Sequence, residues 1–265
     1  MSFNPNELIL EKIRTVEEYD PDSLELTGRY TQIEEPKLNF STESTSVVDA
    51  MGNSVMTFYK AKKGTFDFSN SFFSLDLAAS QFGSEKVTAD ESNKLIIPVS
   101  EVVTIGADCK AVLTYVPVGD AGAEISCIKV INNDNTFGKT YSSSSQNEEN
   151  KFTLDAANRT ITLPDNVTGK VFVSYNKESS EAAKITNKAD GQPKVKTLLI
   201  HAIFHPICDK NKLIAGVIRC PRAQINPESV DISLTAEGKH AASYILQKDY
   251  CSDDDNLVEI IVSED

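Results

Sequence analysis

The sequence has no tryptophan and only three histidines, so imidazole chemistry has few candidate residues. It has no G-x-G-x-x-G and no G-x-x-x-x-G-K-[ST], the two glycine loops that cradle phosphates. H-E-x-x-H, C-x-x-C and G-x-S-x-G are also missing, which removes the commonest zinc, dithiol and serine-nucleophile signatures. No apolar run approaches the ~18 residues that a membrane-spanning helix needs, so no membrane insertion is expected. Residues 1–19 carry Glu7, Glu11, Glu17 and Glu18. A secretory signal needs a basic start and an apolar run, and a transit peptide is poor in acids. Synthesis in a cytoplasm is therefore the expectation.

Positive charge is scarce as well. Lys and Arg number 26 against 39 Asp and Glu, a formal net charge of −13. That balance excludes a broad basic face for gripping nucleic acid. The first ninety residues hold 15 acids and 8 bases and carry most of the excess. What is present is an ordinary globular composition, 40% hydrophobic and 25% charged over 265 residues, enough for one large or two modest domains. The five cysteines are odd in number, and free thiols are the simplest reading in a reducing compartment. The Asn-x-Ser/Thr sites at Asn39, Asn158 and Asn166 then carry no meaning.

Hydrophobic periodicity predicts a short amphipathic helix over residues 6–19, capped by Asn6, from the spacing of Leu8, Ile9, Ile13 and Val16. Strands are expected around Leu24 to Tyr30 and at Leu38 to Thr42. Val47-Val48 and Val55 to Tyr59 flank a turn at Gly52-Asn53 and read as a strand pair. Thr65 to Ser69 alternates cleanly. A helix is predicted from Phe72 to Phe82, capped by Asn70 or Ser71 and ended by Gly83. Short strands follow at 95–97, 102–105, 111–115, 125–131, 152–154, 160–163 and 171–175. Ser142 to Asn150 reads as a polar loop. Strands resume at 195–204, 213–219, 230–234, 242–247 and 257–262. The expected class is all-β, mainly β with one or two short helices, arranged as a sandwich or barrel.

Candidate chemistry is thin. His201, His205, Cys208 and Cys220 could ligate a soft metal. On a strand, however, the two histidines lie too far apart to chelate closely, and the spacing matches no standard zinc site. Asp253, Asp254, Asp255 and Asn256 offer clustered oxygens but lack the EF-hand spacing and its glycine. Lys60, Lys62 and Lys63 form the one dense basic patch. No metal, cofactor or catalytic residue is assigned.

Residues 36–83, PKLNFSTESTSVVDAMGNSVMTFYKAKKGTFDFSNSFFSLDLAASQFG, resemble the core stretch of major tail or other virion structural proteins of tailed bacteriophages. Residues 151–175 are similar to that family's strand–turn–strand block. Residues 186–265, with Cys208-Asp209, Pro221-Arg222-Ala223 and Asp249 to Ser252, are similar to its C-terminal part. The resemblance implies a tail-tube protein of the virion, made in the bacterial host cytoplasm. Its copies would form stacked rings, usually of six, contacting other tail proteins while genome DNA passes through the lumen without specific binding. It implies an N-terminal arm or helix over 1–21, a tube body over 22–93 and 180–265, and a β-rich insertion over 94–179. The insertion is either an immunoglobulin-like outer decoration or a completion of the main sandwich. Val47, Val48, Val55, Met56 and Phe58 are the candidate ring-assembly residues. Glu43 and Asp49 are the candidate lumen-facing acids, with ordinary solvated carboxylates as the alternative. A capsid-decorating or adhesive β-sandwich is the competing function, and a carbohydrate-active enzyme is a third reading with no residue to carry it.

Overall fold

The computed structural model describes residues 6–146, 148–164, 166–207, 209, 211–228, 230, 232–233, 235, 238–249 and 255–264. The chain opens with β1 (Leu8–Tyr19), β2 (Leu26–Tyr30), β3 (Ile33–Ser41), β4 (Ser44–Val48), β5 (Ser54–Tyr59) and β6 (Lys63–Asn70). One helix follows, α1 (Leu75–Phe82). Next come β7 (Val87–Thr88), β8 (Leu95–Thr104), β9 (Lys110–Val112), β10 (Cys127–Ile131), β11 (Phe137–Ser143), β12 (Lys151–Asp155), β13 (Thr160–Thr162), β14 (Lys170–Ser179) and β15 (Ala183–Lys184). The last strands are β16 (Val195–Pro206), β17 (Ile214–Ile225), β18 (His240–Leu246) and β19 (Glu259–Ser263). The all-β expectation holds. No described helix is long and apolar enough to cross a membrane.

Two compact units result, one from Met1–Lys86 with Ile185–Asp265 and one from Val87–Lys184. The first is built on an antiparallel sheet in the order β2-β1-β16-β17-β18-β6-β3, with β19 also paired to β17. Alternation along β6 buries Phe66 and Phe68, and alternation along β16 buries Leu198 and Ile200. These join Val16, Tyr30, Cys220, Tyr244 and the helix residue Leu77 in one core. Proline marks an edge here: Pro36 lies in the edge strand β3, where the register slips between Glu34 and Lys37.

Residues 8–19 form β1, which corrects the helix expected over 6–19. Two bulges, between Leu10 and Lys12 and between Ile13 and Thr15, break the two-residue alternation against β16. The displaced apolar residues then imitate a helical spacing. The helix expected from Phe72 starts later, at Leu75, because Ser74 is the cap and its Oγ accepts the Leu77 amide at 3.3 Å. Asn70 and Ser71 are engaged elsewhere: Asn70 Nδ2 donates to Phe72 O at 2.6 Å, and the Ser71 amide donates to Gln32 O at 3.0 Å. Gly83 closes the helix in the left-handed region, at φ 61°.

The second unit has seven strands on one path, β8-β14-β10-β11-β12-β13-β9. Here a single path encloses one core of Ala111, Leu113, Ile125, Ile128, Phe152, Ile161, Val171 and Val173. Its two ends are tied by Glu101 of β8, which accepts the Thr114 amide at 3.0 Å just beyond β9. The segments expected at 95–97 and 102–105 are one strand, and Pro98 sits within it at the end of the path, where a missing amide is tolerated. β11 was not foreseen. Of the strand expected at 230–234, residues 231 and 234 lie outside the described residues, and Ile232 bridges His240.

Candidate assembly surface

Between the edge strand β3 and β6 the chain leaves the main sheet. β4 and β5 pair with each other and form a two-stranded sheet of their own. The turn between them is built by Asp49. Its Oδ1 accepts the amides of Met51 at 2.9 Å and Asn53 at 2.8 Å, and Gly52 follows at φ +86°. These hydrogen bonds, from the Asn53 amide above all, hold the Asp49 carboxyl below the usual carboxylate range. The base of the hairpin is fastened by Glu43, whose two oxygens receive Lys60 Nζ at 2.8 Å and Lys63 Nζ at 2.7 Å. The Lys60 hydrogen bond leads in lowering the Glu43 carboxyl. Thr42 Oγ1 adds a 2.7 Å hydrogen bond to Lys60 O.

Register then decides which side chains share a face. Thr45 opposes Phe58 and Val47 opposes Met56, so these four form one apolar face. Ser44 opposes Tyr59 and Ser46 opposes Thr57, with the two hydroxyls 3.1 Å apart, so the other face is polar. Val48 falls on the polar side opposite Ser54, and Val55 sits in the bulge between them. The apolar face is uncovered: Val47 is 50% exposed, and Met56 and Phe58 are each 56% exposed. A lone two-stranded hairpin is marginal in water, and an amphipathic one with a bare apolar face has an unmet need for a partner.

Of the five candidate assembly residues, Val47, Met56 and Phe58 are therefore brought together, whereas Val48 and Val55 are not. Thr45 belongs to the same face and was missed, although counting back from the Asp49 turn in steps of two would have found it. Glu43 and Asp49 lie at opposite ends of the hairpin, each occupied with holding it together.

The other constellation is dispersed. His201 Nε2 meets Glu17 Oε2 at 3.3 Å, and His205 Nε2 meets Glu11 Oε2 at 2.6 Å, on the outward side of β16. Cys220 is buried in the core, which pushes its thiol up to about 12. Cys208 and the acids Asp253 and Asp254 lie outside the described residues. No group of three His, Cys, Asp or Glu arranged to hold a metal occurs among the described residues.

The sequence pattern of the YomU/Tube protein family matches residues 16–258. The chain belongs to that family. The match begins within β1 and ends just before β19, so it takes in the hairpin and both units. Kinship with phage tube and virion structural proteins thus extends over most of the chain. No curated protein matches it.

Proposed function

We propose that the protein is a tail-tube subunit that assembles with copies of itself into stacked rings, most simply six to a ring, enclosing the channel for genome DNA. The observation that carries this reading is the bare apolar face of Thr45, Val47, Met56 and Phe58 in a chain of the YomU/Tube family. A repeating assembly gives every copy of that face the same cover, which one attachment to a capsid need not do. The first unit, with β1 in its sheet, builds the wall, and the second unit elaborates it. The acidic balance of the chain suits a conduit, since DNA binding is driven by neutralising phosphates and this protein has little charge to do so. Of the two candidate lumen acids, Glu43 is offset by two lysines, which leaves Asp49 the stronger source of repulsion. Contacts with other tail proteins close the ends of the assembly, and the role is structural, not catalytic.

Negative-stain microscopy of the concentrated protein tests this. Tubes or stacked rings are expected for the wild type. Val47→Asp and Phe58→Asp should give dispersed particles with an unchanged far-ultraviolet dichroism spectrum. Monomers that persist at high concentration and attach to capsids would overturn the proposal in favour of a decorating protein.

A further inference from the structure

A carboxyl group lies at the centre of the main core. Glu18 of β1 is fully buried, and four other elements converge on it. Ser80 of α1 donates to Oε2 at 2.6 Å, and Tyr244 of β18 donates to Oε1. Tyr30 of β2 is buried beside it, and its hydroxyl has no hydrogen bond in the structure. The Lys196 ammonium of β16 attracts the carboxyl while donating to Thr27 Oγ1 at 3.0 Å. Asp76 of α1 is the other charge bearing on Tyr30. Phe66 and Phe68 of β6 contribute only apolar surface around Tyr244. The crowding is close: a Cβ on Gly28 would lie 2.5 Å from the Tyr30 hydroxyl and 3.1 Å from Glu18 Oε2. A hollow of about 670 Å³, lined in part by Gly28, Asp76, Ser80, Ser84 and Lys196, opens beside the cluster.

We propose that Glu18 is a proton-operated catch that holds helix α1 on the main sheet. In the neutral state the carboxyl accepts from Ser80 and Tyr244 and leaves no charge in the core. Loss of the proton leaves a charge in the core, where it is poorly solvated. Lifting of α1, which carries Ser80 and borders the hollow, brings water to the carboxylate and relieves that cost. Burial holds the Glu18 carboxyl above its ordinary value of 4.5, against the pull of the Ser80 and Tyr244 hydroxyls and Lys196. Its contribution is therefore complete below 4.5 and is lost as the pH rises through the folded value.

The test is a carbon-13 titration of the glutamate side chains in the intact protein, together with amide exchange along Leu77 to Phe82 corrected for intrinsic rates. Glu18 should titrate above 4.5. Protection of the helix amides should fall by up to about tenfold per pH unit above 4.5, levelling once Glu18 is ionised. Glu18→Gln should remove this pH dependence while the amides of the second unit exchange as before. A Glu18 that titrates at or below 4.5, or a variant with the wild-type pH dependence, overturns the proposal. Should the variant fail to fold, the wild-type titration decides alone.

Discussion

His240 Nε2 lies 2.8 Å from Gln81 Oε1, joining β18 to the helix from the far end of the sequence. The Gln81 amide nitrogen donates to Ala241 O at 2.8 Å, so its oxygen is the acceptor and the imidazole carries its proton on Nε2. Nδ1 is then free to accept the Ser74 amide, at 3.3 Å, beside the cap of α1. Burial holds the imidazole below its ordinary value of 6.5, so it is neutral in the folded protein. That contribution is present above 6.5 and is lost as the pH falls toward the folded value. His240→Gln should cost about 1–3 kcal/mol at pH 7.5. The gap to the wild type should narrow between pH 7 and 5, as read by urea midpoints.

The end of the same helix admits only glycine. Gly83 has φ 61°, and a Cβ there would lie 2.0 Å from the backbone oxygen of Gln192. Gly83→Ala therefore combines left-handed strain with a backbone clash and should cost about 2–4 kcal/mol in thermal or denaturant unfolding. Gly52→Ala keeps a positive φ but meets nothing within 4 Å, and should cost about 1 kcal/mol.

In the second unit, Glu101 also accepts the Tyr175 hydroxyl at 2.7 Å. Burial raises the Glu101 carboxyl, but the hydrogen bonds from Thr114 and Tyr175 outweigh it, and the net direction is down. Its stabilisation is present above 4.5 and is lost as the pH falls through the folded value. Burial and Glu101 push Tyr175 up to about 12, which an ultraviolet titration can follow. Tyr175→Phe should cost about 1–2 kcal/mol and bring the acid unfolding of this unit to higher pH.

Thiol reactivity should separate the two units by position. Cys127 is exposed on β10, whereas Cys220 is buried and held protonated. Brief alkylation of the native protein followed by peptide mass spectrometry should label Cys127 and leave Cys220 unmodified until denaturant is added. Labelling of Cys220 at the rate of Cys127 would contradict the packing of the core.

Most strands were legible because they alternate or run apolar, as Thr65 to Ser69 does. The failures have local causes. The bulges in β1 shift Ile13 and Val16 out of a two-residue rhythm. β11 has one buried residue, Tyr141, among Gly, Lys, Thr and Ser, so no alternation marks it. The hairpin was readable down to its turn, but which of its valines share a face depends on a bulge at Val55 that composition does not announce. Glu18 was counted only as one of the acids of residues 1–19. Its burial depends on Ser80 and Tyr244, which lie 62 and 226 residues further along the chain.

The main sheet pairs Leu8 with Pro206 and Gly64 with Leu246, whereas every strand pair of the second unit lies within Val87–Lys184. On the ribosome the second unit can therefore finish while β1 still waits for β16 and β6 for β18, since long loops must close before those contacts form. The hairpin at 44–59 emerges early, but the sheet that carries β3 and β6 is incomplete until β16 to β18 have been synthesised. Translation itself thus delays completion of the sheet on which the hairpin stands.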